Sequence, residues 1–496
     1  RSVYFEAVAN WARTFGKHDL SAMFLFQQSQ KNYVGESANN SEKALPYRHQ
    51  GIAGRITYNY DNRYFVEGNF GYNGSENFSP NHRFGFFPSI AVGYVVSNEK
   101  FFAPIRDVVS MVKLKASYGL VGNDQIGGDR RFIYNETVIG GGKYYFGTTP
   151  SQYTSVRLGE FPNPNVGWEK AKKLNLGADL SFFNQLNISV DYFKENREGI
   201  FLQRKSIPMY VGLSTKPWVN IGKMRNSGID ASLEYHQPLG KDLHLTVRGN
   251  FTYARNRIMD QDEPDYAYTY MNHSGQMQWQ KFGLVAAGLF QDQEDIDSWA
   301  KQSFGEVKPG DIKYLDLNGD GIVDNYDTKP IGYSDIPEIV YGFGFSLQWK
   351  AFDLSAFFQG VAHVSFSTLT DQTQAFVGRN LKESSVFADL YGNTWTPENP
   401  GAKYPRMTTG AIDNNNQLST FWMANGRYLR LKNLELGYTL PKRIANKIAM
   451  QSLRVYLSGV NLFTFSPFKL WDPDLQTGAT NYPNNRIINL GLTIGF

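Results

Sequence analysis

The segment from Asp316 to Asp327 reads DLNGDGIVDNYD. Counting Asp316 as the first position, oxygen-bearing side chains fall first, third, fifth, ninth and twelfth: Asp316, Asn318, Asp320, Asp324 and Asp327. Gly321 stands sixth and Ile322 seventh, where a backbone carbonyl serves as ligand. This is the register of an EF-hand loop, in which alternate carboxylates turn toward a hard cation and the glycine permits the chain to reverse round it. Asp327 in place of glutamate shortens the reach of the last ligand. The expectation is one structural calcium held by Asp316, Asn318, Asp320, the Ile322 carbonyl, Asp324 and Asp327. A loop of Asx turns with no metal is the competing reading, and another cation is a third. No convincing helix flanks the segment, so no calcium-driven opening of a helix pair is implied.

Other chemistry is hard to find. There is no metalloprotease histidine pair, no phosphate-binding glycine loop and no nucleophile-elbow serine, so no enzyme is expected. The acid pairs Glu294 with Asp295 and Asp262 with Glu263 sit in polar stretches and read as solvated charge. Gly140 to Gly142 reads as a flexible loop tip. Tyr266, Tyr268 and Tyr270 with Trp279 suit either stacking on sugars or packing of their own loop. With no cysteine, disulfides and thiolate metal sites are excluded. Lys and Arg number 50 against 46 Asp and Glu, which gives no reason to expect nucleic acid. No run approaches the length of a membrane helix. A mean hydropathy of −0.42 suits a soluble chain, and equally a membrane barrel whose strands alternate apolar and polar residues.

That alternation dominates the chain. Tyr64, Val66, Gly68, Phe70 and Tyr72 interleave with Phe65, Glu67, Asn69 and Gly71, and they follow a similar run from Ile52 to Tyr60 across a short turn. Leu174 to Phe182 meets Leu186 to Tyr192 in the same way. So do Ile229 to Tyr235 with Leu243 to Phe251, and Tyr341 to Trp349 with Phe352 to Phe358. Weaker runs bring the total to about 15 strands. Short turns alternate with long loops of about 13 residues or more, and the longest is placed at about 255–336. Pro441 to Met450 reads as a helical turn.

A soluble sandwich would carry comparable connections at both ends. One rim of tight turns and one of long loops is instead the pattern of an outer-membrane barrel. Tyr60, Tyr64, Phe182, Trp349 and Phe352 near the short turns suit a membrane interface. The fold class is therefore all-β, a transmembrane antiparallel β-barrel with long extracellular loops, integral to a bacterial outer membrane and in contact with its lipid. Outward positions should include Val66, Phe70, Leu176, Leu180, Phe345, Leu354, Leu490 and Ile494. Lumenal positions should include Glu67, Asn69, Lys113, Lys115, Asp179 and Asp191. An odd strand count implies that residues 1–496 are the C-terminal part of a longer barrel, because single-chain barrels have even counts. The terminal Phe496 resembles the signal read by barrel-assembly machinery.

Several stretches resemble the SusC/RagA family of TonB-dependent outer-membrane transporters. They are Lys115 to Asn123 (KASYGLVGN), Asn163 to Glu169 (NPNVGWE), Pro309 to Tyr314 (PGDIKY), Gly426 to Asn433 (GRYLRLKN) with Leu436 to Tyr438 (LGY), and Gly459 to Phe463 (GVNLF). The resemblance implies a 22-stranded, plugged barrel, with the plug and first strands lying outside this chain. It also implies TonB acting on that missing N-terminal part, a SusD-like surface lipoprotein as lid, and import of an oligosaccharide or peptide. An oligosaccharide is the expected cargo. A surface binding or adhesive protein, or a passive pore, is the alternative use of the same barrel.

Overall fold

The computed structural model describes residues 1–33, 45–127, 130–213, 215–370, 373, 387–408, 410–448, 450–478 and 481–496. Fifteen strands form one sheet, hydrogen-bonded in chain order. They are β1 (Ser2–Phe15), β2 (His18–Lys31), β3 (Tyr47–Tyr60), β4 (Tyr64–Ser75), β5 (Phe84–Val95), β6 (Val109–Asn123), β7 (Glu169–Phe182) and β8 (Leu186–Gln203). Then come β9 (Trp218–Pro238), β10 (Leu243–Asp260), β11 (Ile339–Trp349), β12 (Phe352–Ala362), β13 (Tyr428–Thr439), β14 (Ser452–Phe465) and β15 (Ile487–Gly495). The chain divides into two compact units, Arg1–Ile229 with Asn256–Asp265, and Asp230–Arg255 with Tyr266–Phe496.

In the first unit β1 to β8 pair antiparallel, each with its successor. The tight turns explain why the hairpins close where they do. Asp61 and Asn62 have φ of 53° and 52°, and Phe183 and Asn184 have 53° and 52°. Two successive left-handed residues make the primed turn that matches the twist of a two-strand ribbon. Val66, Phe70, Leu176 and Leu180 fall on one face of this ladder and Glu67, Asn69, Lys113, Lys115, Asp179 and Asp191 on the other, as the alternation requires. The apolar face is bare: Val66 is 44% exposed and Leu176 46%. Near the short turns that face carries Tyr60, Tyr64 and Tyr94, stacked with centroids 6.4 and 5.2 Å apart. In water such a surface would be a liability. In lipid it is the required one.

The second unit repeats the pattern in β10 to β15. Phe345, Leu354, Leu490 and Ile494 share its apolar face, and Leu490 is 79% exposed. A bulge interrupts the pairing of β13 with β14, where Asn461 has φ of 54°. Pro441 precedes a short helix, Lys442–Ala445, as its proline suggests.

Three details differ from the sequence reading. Gly140 to Gly142 lie in a strand, Val138–Phe146, paired with Ser151–Leu158, so the tip falls at Gly147 to Pro150. The hairpin ladder continues through the glycines by a register shift between Gly140 and Lys143. Residues 76–83 form a shorter connection than expected, because β4 and β5 extend further than their apolar runs. Likewise β10 persists to Asp260, held by Arg255, which donates through Nη2 to Glu338 at 2.8 Å; the longest loop is therefore 261–338.

Candidate functional site: folded loops and a polar inner face

Apart from one small cluster at the ends of β12 and β13, the buried apolar clusters described in this chain lie in the connections. In the first unit Phe78, Ile126, Ile133 and Val166 pack together under Trp168, Phe201 and Trp218. In the second, Leu284, Leu289, Ile312, Tyr314 and Val323 of loop 261–338 pack with Leu390, Trp395, Tyr404 and Trp422 of loop 363–427. The described residues of the two longest loops thus share one core and form a folded module.

Asp311 pins that module. It is wholly buried, accepts from the Lys308 N–H at 2.7 Å and the Asn415 side-chain amide at 2.9 Å, and pairs with Arg406, whose Nη2 lies at 3.1 Å. Gly310 before it has φ of 90°, and a Cβ there would stand 2.4 Å from the Trp395 ring. The PGDIKY stretch is therefore a joint between loops. Trp168 and its neighbours act similarly. The Trp168 indole donates to the Arg83 carbonyl at 3.1 Å, and the Gly167 N–H to the Asn220 side chain at 3.0 Å. Arg430, 2% exposed, ties β13 to the connection before β15 through Asp472 and Asp474. Three of the stretches that carry the resemblance thus make joints, between loops at Asp311 and between loop and strand at Trp168 and Arg430. That role was not legible in them individually, since each joint is completed by residues far away in the chain.

The Asp-rich segment lies on this module. Gly319 and Gly321 have φ of 76° and 87°, the left-handed values that let the chain turn back. Asp316 accepts from the Gly319 and Gly321 N–H groups at 2.7 and 2.8 Å. Asn318 accepts from the Asp320 N–H at 3.0 Å and Asp320 from the Ile322 N–H at 2.8 Å. Asp324 accepts from the Tyr326 N–H at 2.7 Å. Asp327 is fully buried and takes the N–H groups of Leu317 and Asp324 at 2.7 and 2.8 Å, closing the loop end to end. Among the described residues no three His, Cys, Asp or Glu side chains converge as metal ligands. The donor set is nevertheless all oxygen, and each carboxylate oxygen bonded to one N–H keeps a second lone pair. The Tyr270 hydroxyl donates to the Tyr326 carbonyl at 2.8 Å, which places that ring against the acidic turn, and burial with the charges of Asp327, Asp316 and Asp320 and with Tyr268 beside it pushes the hydroxyl upward. Tyr268 stacks on Tyr270 at 5.4 Å and meets Tyr326 edge-on at 6.2 Å. Those tyrosines pack their own loop. Trp279 is 62% exposed at φ of 64°.

The inner face of the first unit is polar and mostly paired. Lys115 Nζ reaches Asp179 at 2.7 Å and Asp191 at 3.4 Å. Lys115 and Asp191 flank Gly177 on adjacent strands, and a Cβ there would lie 2.2 Å from an Asp191 oxygen. A missing side chain thus lets charges bridge two strand spacings. A cavity of about 570 Å³ opens on this wall, lined by Thr57, Asn59, Glu67, Lys113, Ser117 and Asn175 among others. In the second unit Arg454 spans Asp353 and Glu435 on the same kind of face.

A bare apolar face, a polar face with paired charge and a rim of folded loops define a transmembrane β-barrel of the outer-membrane class. The chain belongs to the family described as TonB dependent receptor-like, beta-barrel, whose model matches residues 2–462. It lies in the outer membrane and crosses by strands; no helix among the described residues is long and apolar enough to span a bilayer. TonB-dependent receptor P3 of Formosa agariphila is 30% identical over 472 residues, 90% of this chain and 45% of that protein. TonB-dependent receptor SusC of Bacteroides thetaiotaomicron is 27% identical over 470 residues, 89% of this chain and 43% of that protein. The chain spans about half the length of the curated relatives it matches. Among solved structures, the RagAB peptide transporter superposes with a TM-score of 0.75 at 21% identity, covering 100% of this chain and 55% of the other. That likeness is one of fold.

Proposed function

We propose that this chain supplies part of a barrel that imports a bulky polar nutrient across the outer membrane, without catalysis of its own. The observation carrying this reading is the loop module. A passive pore needs no shared core of Leu284, Ile312, Tyr314, Trp395 and Trp422 above its rim, whereas a receptor that holds cargo needs ordered loops. An oligosaccharide is the cargo that the exposed rings favour: Trp279 at 62% and Tyr391 at 87% offer flat faces in loops, and such faces stack on sugar rings. Relatedness to a receptor named SusC supports a SusD-like lipoprotein as lid, with TonB acting through residues outside this chain. Deleting the gene should abolish growth on one polymer-derived nutrient while small sugars remain usable. Affinity purification should recover a surface lipoprotein in comparable amount. Unchanged growth on every polymer, with free ion conduction by the purified barrel, would establish the pore instead.

The Asp-rich loop is proposed to hold a structural calcium through Asp316, Asn318, Asp320, the Ile322 carbonyl, Asp324 and Asp327. Its support is the ligand register and the reversal at Gly321. Chelation should raise protease cleavage within 261–338 and leave the barrel folded. Identical cleavage with and without chelator would mean that the loop's own N–H groups suffice.

A further inference from the structure

The outward face of β7, β8 and β9 changes character at one height. On β7 the outward residues run Phe182, Leu180, Ala178, Leu176, Leu174, and then Lys172 and Lys170. On β8 they run Leu186, Ile188, Val190, Tyr192, and then Lys194, Asn196 and Glu198. Register places Lys194 opposite Leu174 and Asn196 opposite Lys172. Arg225 of β9 donates to the Asn196 side chain at 3.1 Å, so Arg225, and Lys223 two residues on, lie on this face as well. From Phe182 to Leu174 the strand climbs about 26 Å at ~3.3 Å per residue. At a tilt of about 40° that is roughly 20 Å along the membrane normal, close to the height of an outer-membrane apolar band. The basic residues begin where the hydrocarbon must end, on the side of the long loops.

Five cations stand there with one acid. Glu198 pairs with Lys172 at 3.0 Å, and among the described residues no ion pair engages Lys170, Lys194, Lys223 or Arg225. At the same height β6 carries Gly119, Leu120, Val121 and Gly122, so the charge stops at β7 on that side. A cavity of about 500 Å³ adjoins it, lined by Phe84, Phe86, Trp168, Lys170 and Glu198 among others, and so joins aromatic wall to the charged patch. Lysine and arginine at the edge of a lipid-facing wall meet one class of molecule by necessity: the lipids of that leaflet. Unneutralised cations select those whose head groups bear phosphate.

We propose that this patch is a binding site for a phosphorylated lipid of the outer leaflet, its acyl chains lying on Leu174, Leu176 and Tyr192 and its phosphates between Lys170, Lys194, Lys223 and Arg225. The site holds the barrel wall to the surrounding leaflet at β7 to β9. It is distinct from the cargo surfaces, because these side chains point away from the lumen.

The test uses the full protein in detergent, with a bis-phosphorylated lipid A as probe and a zwitterionic phospholipid and inorganic phosphate as comparisons. The variant Lys170→Gln/Lys194→Gln/Lys223→Gln/Arg225→Gln should retain lipid A at least tenfold more weakly, given about fivefold per charge near an anionic surface. Lys113→Gln/Lys173→Gln, which removes lumenal charge, should leave retention unchanged. Inorganic phosphate should not displace the lipid. Folding is checked by heat-dependent mobility, and the milder Lys223→Gln/Arg225→Gln serves if the fourfold variant does not assemble. Equal loss in the lumenal variant, equal retention of the zwitterionic lipid, or displacement by phosphate alone would each overturn the proposal.

Discussion

Replacing Asp311 with alanine tests whether the two long loops are one folded body. The carboxylate is fully buried, and its removal strands the Asn415 amide, the Lys308 N–H and the Arg406 guanidinium. Deleting one partner of a buried ion pair costs about 3–5 kcal/mol. Arg406 keeps roughly a quarter of its surface in water, so the lower end applies. About 3 kcal/mol raises the opening equilibrium by about 100-fold. When cleavage is slow relative to reclosing, proteolysis tracks that equilibrium. Native cleavage within 261–338 should therefore accelerate by about two orders of magnitude in Asp311→Ala, with heat-dependent mobility of the barrel unchanged. Asp389→Ala is the internal comparison. Its partners are the well-exposed Lys403 and the Tyr404 hydroxyl, and losing one exposed pair and one hydrogen bond costs about 1–2 kcal/mol, or about 5- to 30-fold, below the effect expected for Asp311. If both variants are cleaved at the same rate, the shared core does not depend on Asp311 and the two loops fold separately.

Acid should loosen the same module. Lys403 and the Tyr404 hydroxyl hold the Asp389 carboxyl below the usual aspartate range, so its contribution is full above that range and is lost as pH falls through the lowered value. Protease resistance of the loops should be flat from pH 8 to about 5 and fall below about pH 4; a decline centred near neutrality would contradict this. Leu176→Arg should lose about 2–4 kcal/mol of assembly free energy and reduce folded barrel in the membrane. Asn175→Arg, one residue away on the cavity-lining face, should assemble normally; equal yields would refute the assignment of faces. A Cβ on Gly344 would lie 2.4 Å from the Ala356 carbonyl oxygen, whereas one on Gly68 meets nothing within 4 Å. Gly344→Ala should destabilise by about 1–3 kcal/mol, read as a lower unfolding temperature, and Gly68→Ala should be neutral.

The ladder was written in the sequence because a meander needs little more than local information. Each strand pairs with its chain neighbour, and period-two alternation decides which face meets lipid and which meets water. Val66 against Glu67, or Leu180 against Asp179, could thus be assigned to faces from spacing alone. The acidic register of Asp316 to Asp327 was equally plain. How that loop satisfies its backbone was not, since the buried carboxylate of Asp327 depends on a fold that spacing does not show.

What tertiary structure decided is everything that links residues distant in the chain without a repeating pattern. Asp311 with Arg406 and Asn415, Arg430 with Asp472, and Trp168 with Arg83 join segments whose partners no periodicity announces. The basic patch belongs here too, for Lys172, Lys194 and Arg225 become neighbours through the registers of three strands. Alternation fixes the side of the sheet on which a residue lies. It says nothing about which distant residue lies beside it, because that depends on loop closure and packing over the whole chain.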